Sequence, residues 1–173
     1  MPTATRSPLA ALVTMAALTA FILSGLVPAA AEAPLGTKYL SKKGAFDDVL
    51  QDVKDAVINR GLLIDYIGHI DKMLDRTSEA ADSVTSTGSR SPYQNAKYLH
   101  FCSSKLTHEA ISANPYNLSI CPYVVFLFET KAKPGIVVVG YRRPIPGPSV
   151  RSKKALAKID SLLESIIKEA TQE

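Results

Sequence analysis

CPYVVFLFETKAKPGIVVVGY, residues 121–141, is the stretch on which the fold turns. From Tyr123 to Thr130 the side chains are apolar on both faces of an extended chain, the mark of a central strand. Pro122 sits at its start, where proline is tolerated. Lys131 to Gly135 reads as a turn built on Pro134-Gly135. Ile136 to Tyr141 then returns as an antiparallel partner.

The neighbouring segments supply more strands and their cover. Lys97 to Cys102 reads as a strand with Leu99 and Phe101 on one face and Tyr98, His100 and Cys102 on the other. A helix from Ser104 to Ala113 follows and ends before Asn114-Pro115. Downstream, Pro144, Pro146 and Pro148 make a stiff, extended connector. Ser152 caps a last helix, 152–170, with an apolar stripe at Ala155, Leu156, Ile159, Leu162, Leu163, Ile166 and Ile167.

Upstream, Gly36 to Ser41 is a short extended entry. Lys43 to Arg60 is a helix, because Phe46, Val49, Leu50, Val53, Ala56 and Val57 recur at spacings of three and four. Asp47, Asp48, Asp52 and Asp55 lie off that stripe. They lack the loop spacing and central glycine of a calcium motif and read as a solvated face. Gly61 ends the helix, and Leu62 to Ile67 is a strand. Ile70 to Ala81 is a shorter helix carrying Ile70, Met73, Leu74 and Thr77 inward. From Asp82 to Pro92, six of eleven residues are Ser or Thr, which makes an exposed loop. The order predicts an α+β domain over 32–173: one small mixed or antiparallel sheet with helices packed on one or both faces.

The leader has a different character. Arg6 is the only charge before Glu32, and Leu9 to Val27 is apolar but for Thr14, Thr19, Ser24 and Gly25. Ala29-Ala30-Ala31 gives the small-x-small site of a signal peptidase, so residues 1–31 read as a cleaved secretory signal. The competing reading is a retained anchor, since the run could nearly span a bilayer. Leu26 occupies the place of a lipidated cysteine, which excludes a lipid anchor there. Cleavage leaves 142 of the 173 residues in a periplasmic or secreted location that permits disulfides.

Composition sets the outer bounds. Apolar residues make up 46% and charged residues 21%, which excludes collagen, wholesale disorder and a multi-span membrane protein. A net charge of +4 is too weak to argue for nucleic acid by itself, and the basic run has no aromatic interleaving apart from Tyr141.

The leading helix with Phe46 and Leu50, the turn at Gly61 into the 62–67 strand, and the hairpin opened by Cys121-Pro122-Tyr123 resemble a known family. It is the small bacterial and archaeal domain-of-unknown-function family numbered 302, over about Thr37 to Pro144. The resemblance implies a compact α+β domain and homodimers. It brings no reaction and no catalytic residues. The Ser/Thr-rich loop and the helix after Pro148 are not matched to it.

Candidate chemistry gathers at His100, Cys102, His108 and Cys121. Three readings compete. The first is a Cys102–Cys121 disulfide, the default for an exported chain with two cysteines. The second is a cofactor or metal site, in which His100 with His108 or the cysteines ligates haem, copper or zinc. No CxxC, CxxCH or HExxH pattern supports it. The third is two buried thiols with unrelated histidines. A thiol nucleophile with a histidine base would need an unbridged Cys102. Asp65 and Glu129 could form a carboxylate pair but read as exposed strand ends. His69 reads as a turn residue. Asn117-Leu118-Ser119 fits a glycosylation sequon. Arg142, Arg143, Arg151, Lys153, Lys154 and Lys158 form a basic run that could face an acidic partner; the plainer reading is a solvated connector and helix start. With no phosphate loop or nucleophile elbow, the expectation is an exported binding or interaction domain for a protein or small ligand. The alternative is a metal or haem carrier.

Overall fold

The computed structural model describes Met1, residues 34–78 and residues 91–172. The expected leader lies outside the described residues, as does most of the Ser/Thr-rich loop. The elements run β1 (Thr37–Lys43), α1 (Phe46–Ile58), β2 (Ile64–His69), α2 (Ile70–Ser78), β3 (Tyr93–Phe101), α3 (Ser104–Ala113), a 3-10 helix (Pro115–Ile120), β4 (Tyr123–Thr130), β5 (Lys133–Arg142) and α4 (Val150–Thr171). The five strands form one sheet in the order β1-β5-β4-β3-β2, and every neighbouring pair is antiparallel. The expected α+β fold is therefore present, and β4 is its central strand.

One face of the sheet meets the helices. Leu99 and Phe101 of β3, Tyr123, Val125 and Leu127 of β4, and Val137, Val139 and Tyr141 of β5 are all buried. Against them lie the α1 stripe and the α4 stripe, which join the strands in one core. Each fully buried Val, Leu or Ile here contributes about 1.5–3 kcal/mol of transfer free energy. α3 adds Ala110, and Ser103 caps it by accepting from the Leu106 amide at 3.4 Å.

Several boundaries differ from expectation, and pairing explains them. α1 starts at Phe46 rather than Lys43, because Thr37–Lys43 pairs along its whole length with β5. β2 runs two residues later than expected, since Gly68 and His69 pair with Tyr98 and Lys97. His69 is thus a strand residue, not a turn residue. α4 begins at Val150: its cap is Ser149, whose Oγ accepts from the Ser152 amide at 3.3 Å. Of the residues expected to point inward from α2, Met73 and Thr77 are exposed, and Ile70 and Leu74 are half-buried. The helix continues directly from β2 and lies against β3 rather than in the main core.

The hairpin is tighter than its Pro-Gly pair suggested. Thr130 faces Lys133, and the register shifts between Glu129 and Thr130. Gly135, at φ +78°, takes up the irregularity inside β5. Glu129 holds it: one carboxylate oxygen accepts from the Gly135 amide at 2.6 Å and the other from Asn95 Nδ2 at 2.9 Å. Glu129 is buried, so the exposed strand end expected there is corrected. Asp65 is exposed, as expected.

Candidate functional site on the uncovered sheet face

The second face of the sheet is built from the alternate positions. Register places Tyr66 and Gly68 of β2, Ala96, Tyr98 and His100 of β3, and Val124, Phe126 and Phe128 of β4 on one side. Val138 and Gly140 of β5 continue it, and Tyr39 and Ser41 of β1 end it. None of these side chains is an acid, a lysine or an arginine; the next alternate positions, Arg142 of β5 and Lys43 of β1, put two cations at the rim of the face. Ala96 and Val124 of this face are buried, but among the described residues its rings are not buried as those of the reverse face are. Tyr66 is 55% exposed and Tyr39 49%, while Tyr98, His100, Phe126, Phe128 and Val138 are half-buried.

The rings on this face lie across their neighbours rather than standing off the sheet. A Cβ added to Gly68 would come 2.1 Å from the Tyr98 ring, and one added to Gly140 would come 2.5 Å from the Phe126 ring. Each glycine therefore leaves room for a ring to lie down on the adjacent strand. The rings also meet one another. The Tyr98 and His100 centroids are 4.8 Å apart, and Tyr66 is 5.9 Å from each. Phe128 is 5.3 Å from Tyr93 and 6.4 Å from Phe126, nearly parallel to the latter at 11°. Such contacts lie in the range where aromatic pairs attract. The result is an aromatic floor with one imidazole in it.

The four residues of the sequence cluster divide. Cys102, just past β3, and Cys121, just before β4, stand at disulfide distance with Cα atoms 5.9 Å apart. The Cys121–Pro122 peptide is cis. This pair closes the end of the sheet next to His100. His108 is exposed on α3, whereas His100 belongs to the aromatic floor. Among the described residues no group of three or more His, Cys, Asp or Glu side chains is placed to hold a metal ion. A zinc or copper site of that size is thus not assembled from this cluster.

The basic run is partly engaged. Arg143 pairs with Asp160 at 3.2 Å, and Lys158 pairs with Glu109. Arg142, Arg151, Lys153 and Lys154 are exposed. Asp160 is the hub of a network linking β1, β5 and α4. It accepts from Lys38 Nζ at 3.2 Å and from the Tyr141 hydroxyl at 3.1 Å, and Lys38 also reaches Glu164 at 2.8 Å. Burial works to raise the Asp160 carboxyl, but hydrogen bonds from Arg143, Lys38 and Tyr141 outweigh it and hold it below its usual range. Burial and the Asp160 charge push the Tyr141 phenol up to about 12. This network ties β1, β5 and α4 together.

The sequon is structural. Asn117 is buried; its Nδ2 donates to the Ala110 carbonyl at 2.9 Å and to Ser152 Oγ at 2.8 Å. The aromatic floor escaped the sequence reading although a signal for it existed. The alternate positions of β4 are as apolar as a second buried face would be, but the side chains there meet no α1 or α4 stripe.

No family model matches the sequence, and no curated protein matches it. Among solved structures, the chain is similar to the uncharacterized conserved protein DUF302 from Bacillus stearothermophilus. The TM-score is 0.59 at 9% identity, over 80% of this chain and 100% of that one. At that identity the likeness concerns the fold, and the expected resemblance is met at that level: the protein has a DUF302-like α+β fold.

Proposed function

We propose that the protein is an exported binding domain whose ligand lies on the uncovered sheet face and is a flat, largely apolar ring system. The observation that carries this reading is the floor of half-exposed rings around His100, with charge only at its rim, on Arg142 and Lys43. Such a surface gains by stacking and by removing apolar area from water, and it suits a planar ligand better than a charged one. The export half of the reading rests on the 1–31 leader and is favoured by the two cysteines at disulfide distance.

A second reading has an observation of its own. With no three-residue ligand group among the described residues, a bare ion is poorly served. A haem brings four nitrogens and takes a single protein imidazole, a role open to the half-buried His100.

Titration with haem and with metal-free protoporphyrin, followed by absorbance, tests both. The first reading expects both to bind, and Tyr66→Ala with Tyr98→Ala to weaken both. The second expects a shifted Soret band with haem that His100→Ala removes while protoporphyrin still binds. Failure of both porphyrins to bind the native protein would overturn the two readings together. An intact Met1 on the purified protein, in place of a chain starting at Glu32, would overturn export.

A further inference from the structure

The sheet has two edges, and they are built differently. β2 is short and its register shifts between Ile64 and Tyr66, a bulge of the kind that blunts an edge. β1 pairs with β5 in unbroken register over all seven residues. It contains no proline, and two of its three lysines turn away from it. Lys38 turns inward to Asp160 and Glu164, and Lys42 to Asp52 at 2.9 Å and to the Gln172 carbonyl at 2.9 Å.

Which amides face the edge follows from two bonds. The Arg143 amide donates to the Gly36 carbonyl at 2.7 Å, and the Gly44 amide donates to the Gly135 carbonyl at 3.1 Å. In an antiparallel ladder every second residue exchanges such bonds with its neighbour. The even-numbered residues of β1 therefore face β5. Tyr39, Ser41 and Lys43 turn their N–H and C=O groups outward.

Alongside this edge runs a groove of about 300 Å³ between β1 and α4, lined by Lys38, Tyr39, Leu40, Glu164, Ile167 and Lys168. Leu40 is 38% exposed there and Ile167 is buried. The charge around the edge is positive. Lys38, Lys42, Lys43, Arg142, Arg143 and Lys168 stand against three carboxylates, Asp52, Asp160 and Glu164.

We propose that β1 takes an extended, acidic peptide segment of another protein as a sixth strand. One aliphatic side chain of that segment sits in the groove over Leu40 and Ile167. Main-chain hydrogen bonds to Tyr39, Ser41 and Lys43 hold the segment, the groove selects an aliphatic residue, and the surplus of cations selects acids around it. This site lies on the far edge of the sheet from Tyr66 and meets the ring-binding face only at Tyr39 and Ser41, through their main chain. It also shifts the acidic partner expected at Arg142 to Lys154 towards β1, where Arg142 pairs across from Thr37.

The probe is a capped hexapeptide of alternating Glu and Val, compared with its Lys-Val counterpart and with an Glu-Val version N-methylated at alternate amides. Binding to the purified protein is followed by amide exchange and NMR shifts. The expected result is slowed exchange at Tyr39, Ser41 and Lys43. Affinity should fall by about tenfold or more for the methylated and the basic peptides. Ser41→Pro removes an outward donor without touching the β5 ladder, and it should fold and bind as poorly. Equal binding of the three peptides, protection elsewhere, or no binding of the Glu-Val peptide overturns the proposal. So does protection of the same three amides by self-association without peptide, since a second copy would then hold the edge.

Discussion

The His100 ring lies 4.8 Å from the Tyr98 ring, tilted by 45°, two residues along the same strand and on the face that α1 and α4 leave bare. Leu99, between them, points the other way and is fully buried. One strand thus carries a core residue and two floor residues in succession, which lets mutation separate the two faces.

Leu99→Ala should lower stability by about 2–5 kcal/mol, the range for a buried leucine truncated in a packed core. His100→Ala and Tyr66→Ala should each cost less than about 1 kcal/mol, because their side chains keep contact with solvent. Urea unfolding of the three variants checks this. A cost for His100→Ala matching that of Leu99→Ala would make the face a second core.

Cys102 and Cys121 enclose α3 and the 3-10 helix, 19 residues apart in sequence. Reduction, or Cys102→Ser with Cys121→Ser, should lower stability by about 3 kcal/mol through the longer reach of the unfolded chain. Peptide mapping without reductant should recover the two cysteines as one linked pair. Two free thiols in freshly exported protein would contradict the bridge.

The network at α4 makes stability depend on acid. Glu164 is held down to about 2 from its ordinary 4.5, first by the hydrogen bond from Lys38 and then by that from Lys168. A carboxyl lowered in the fold stabilises above its ordinary value and loses that contribution as pH falls through the folded one. The difference in melting temperature between the native protein and Glu164→Gln should therefore be constant above about pH 5 and shrink towards pH 2. At the other end, Tyr141, raised to about 12, favours the fold below pH 10 and loses that preference between 10 and 12. A Glu164→Gln difference that is flat down to pH 2 would show the pair to be idle.

Ser152 Oγ donates to Asn117 Oδ1 at 3.0 Å and accepts from its Nδ2 at 2.8 Å, with both residues buried. Ser152→Ala leaves the Asn117 amide short of partners and should cost about 1–3 kcal/mol. Ser149→Ala, which removes the helix cap itself, should cost about 1 kcal/mol. Denaturant titration of the two variants orders them. The buried Asn117 should also carry no glycan, which intact mass reads directly.

Much of this architecture is written in local pattern. The stripes of α1 and α4 and the run from Tyr123 to Thr130 locate the core, because helix and strand periodicity depend on near neighbours. Features set by distant partners are not legible that way. The β1–β5 ladder takes Lys43 from the expected helix, across about a hundred residues of chain. Glu129 reads as an exposed end until Asn95 and Gly135 converge on it. Phe126 and Phe128 look alike beneath a helix and beneath solvent, so the bare face was invisible. Cys102 and Cys121 were legible because exported chains give two cysteines few alternatives; His100 was legible as a residue but not in its aromatic surroundings.

The central claim is that the bare sheet face binds a flat ring ligand. Amide and ring-proton NMR shifts on titration with metal-free protoporphyrin test it most directly. The largest shifts should fall on Tyr66, Tyr98, His100, Phe126 and Phe128, while Leu99, Val125 and the α1 and α4 stripes stay still. Shifts confined to α1 and α4, or none at saturating porphyrin, would contradict it.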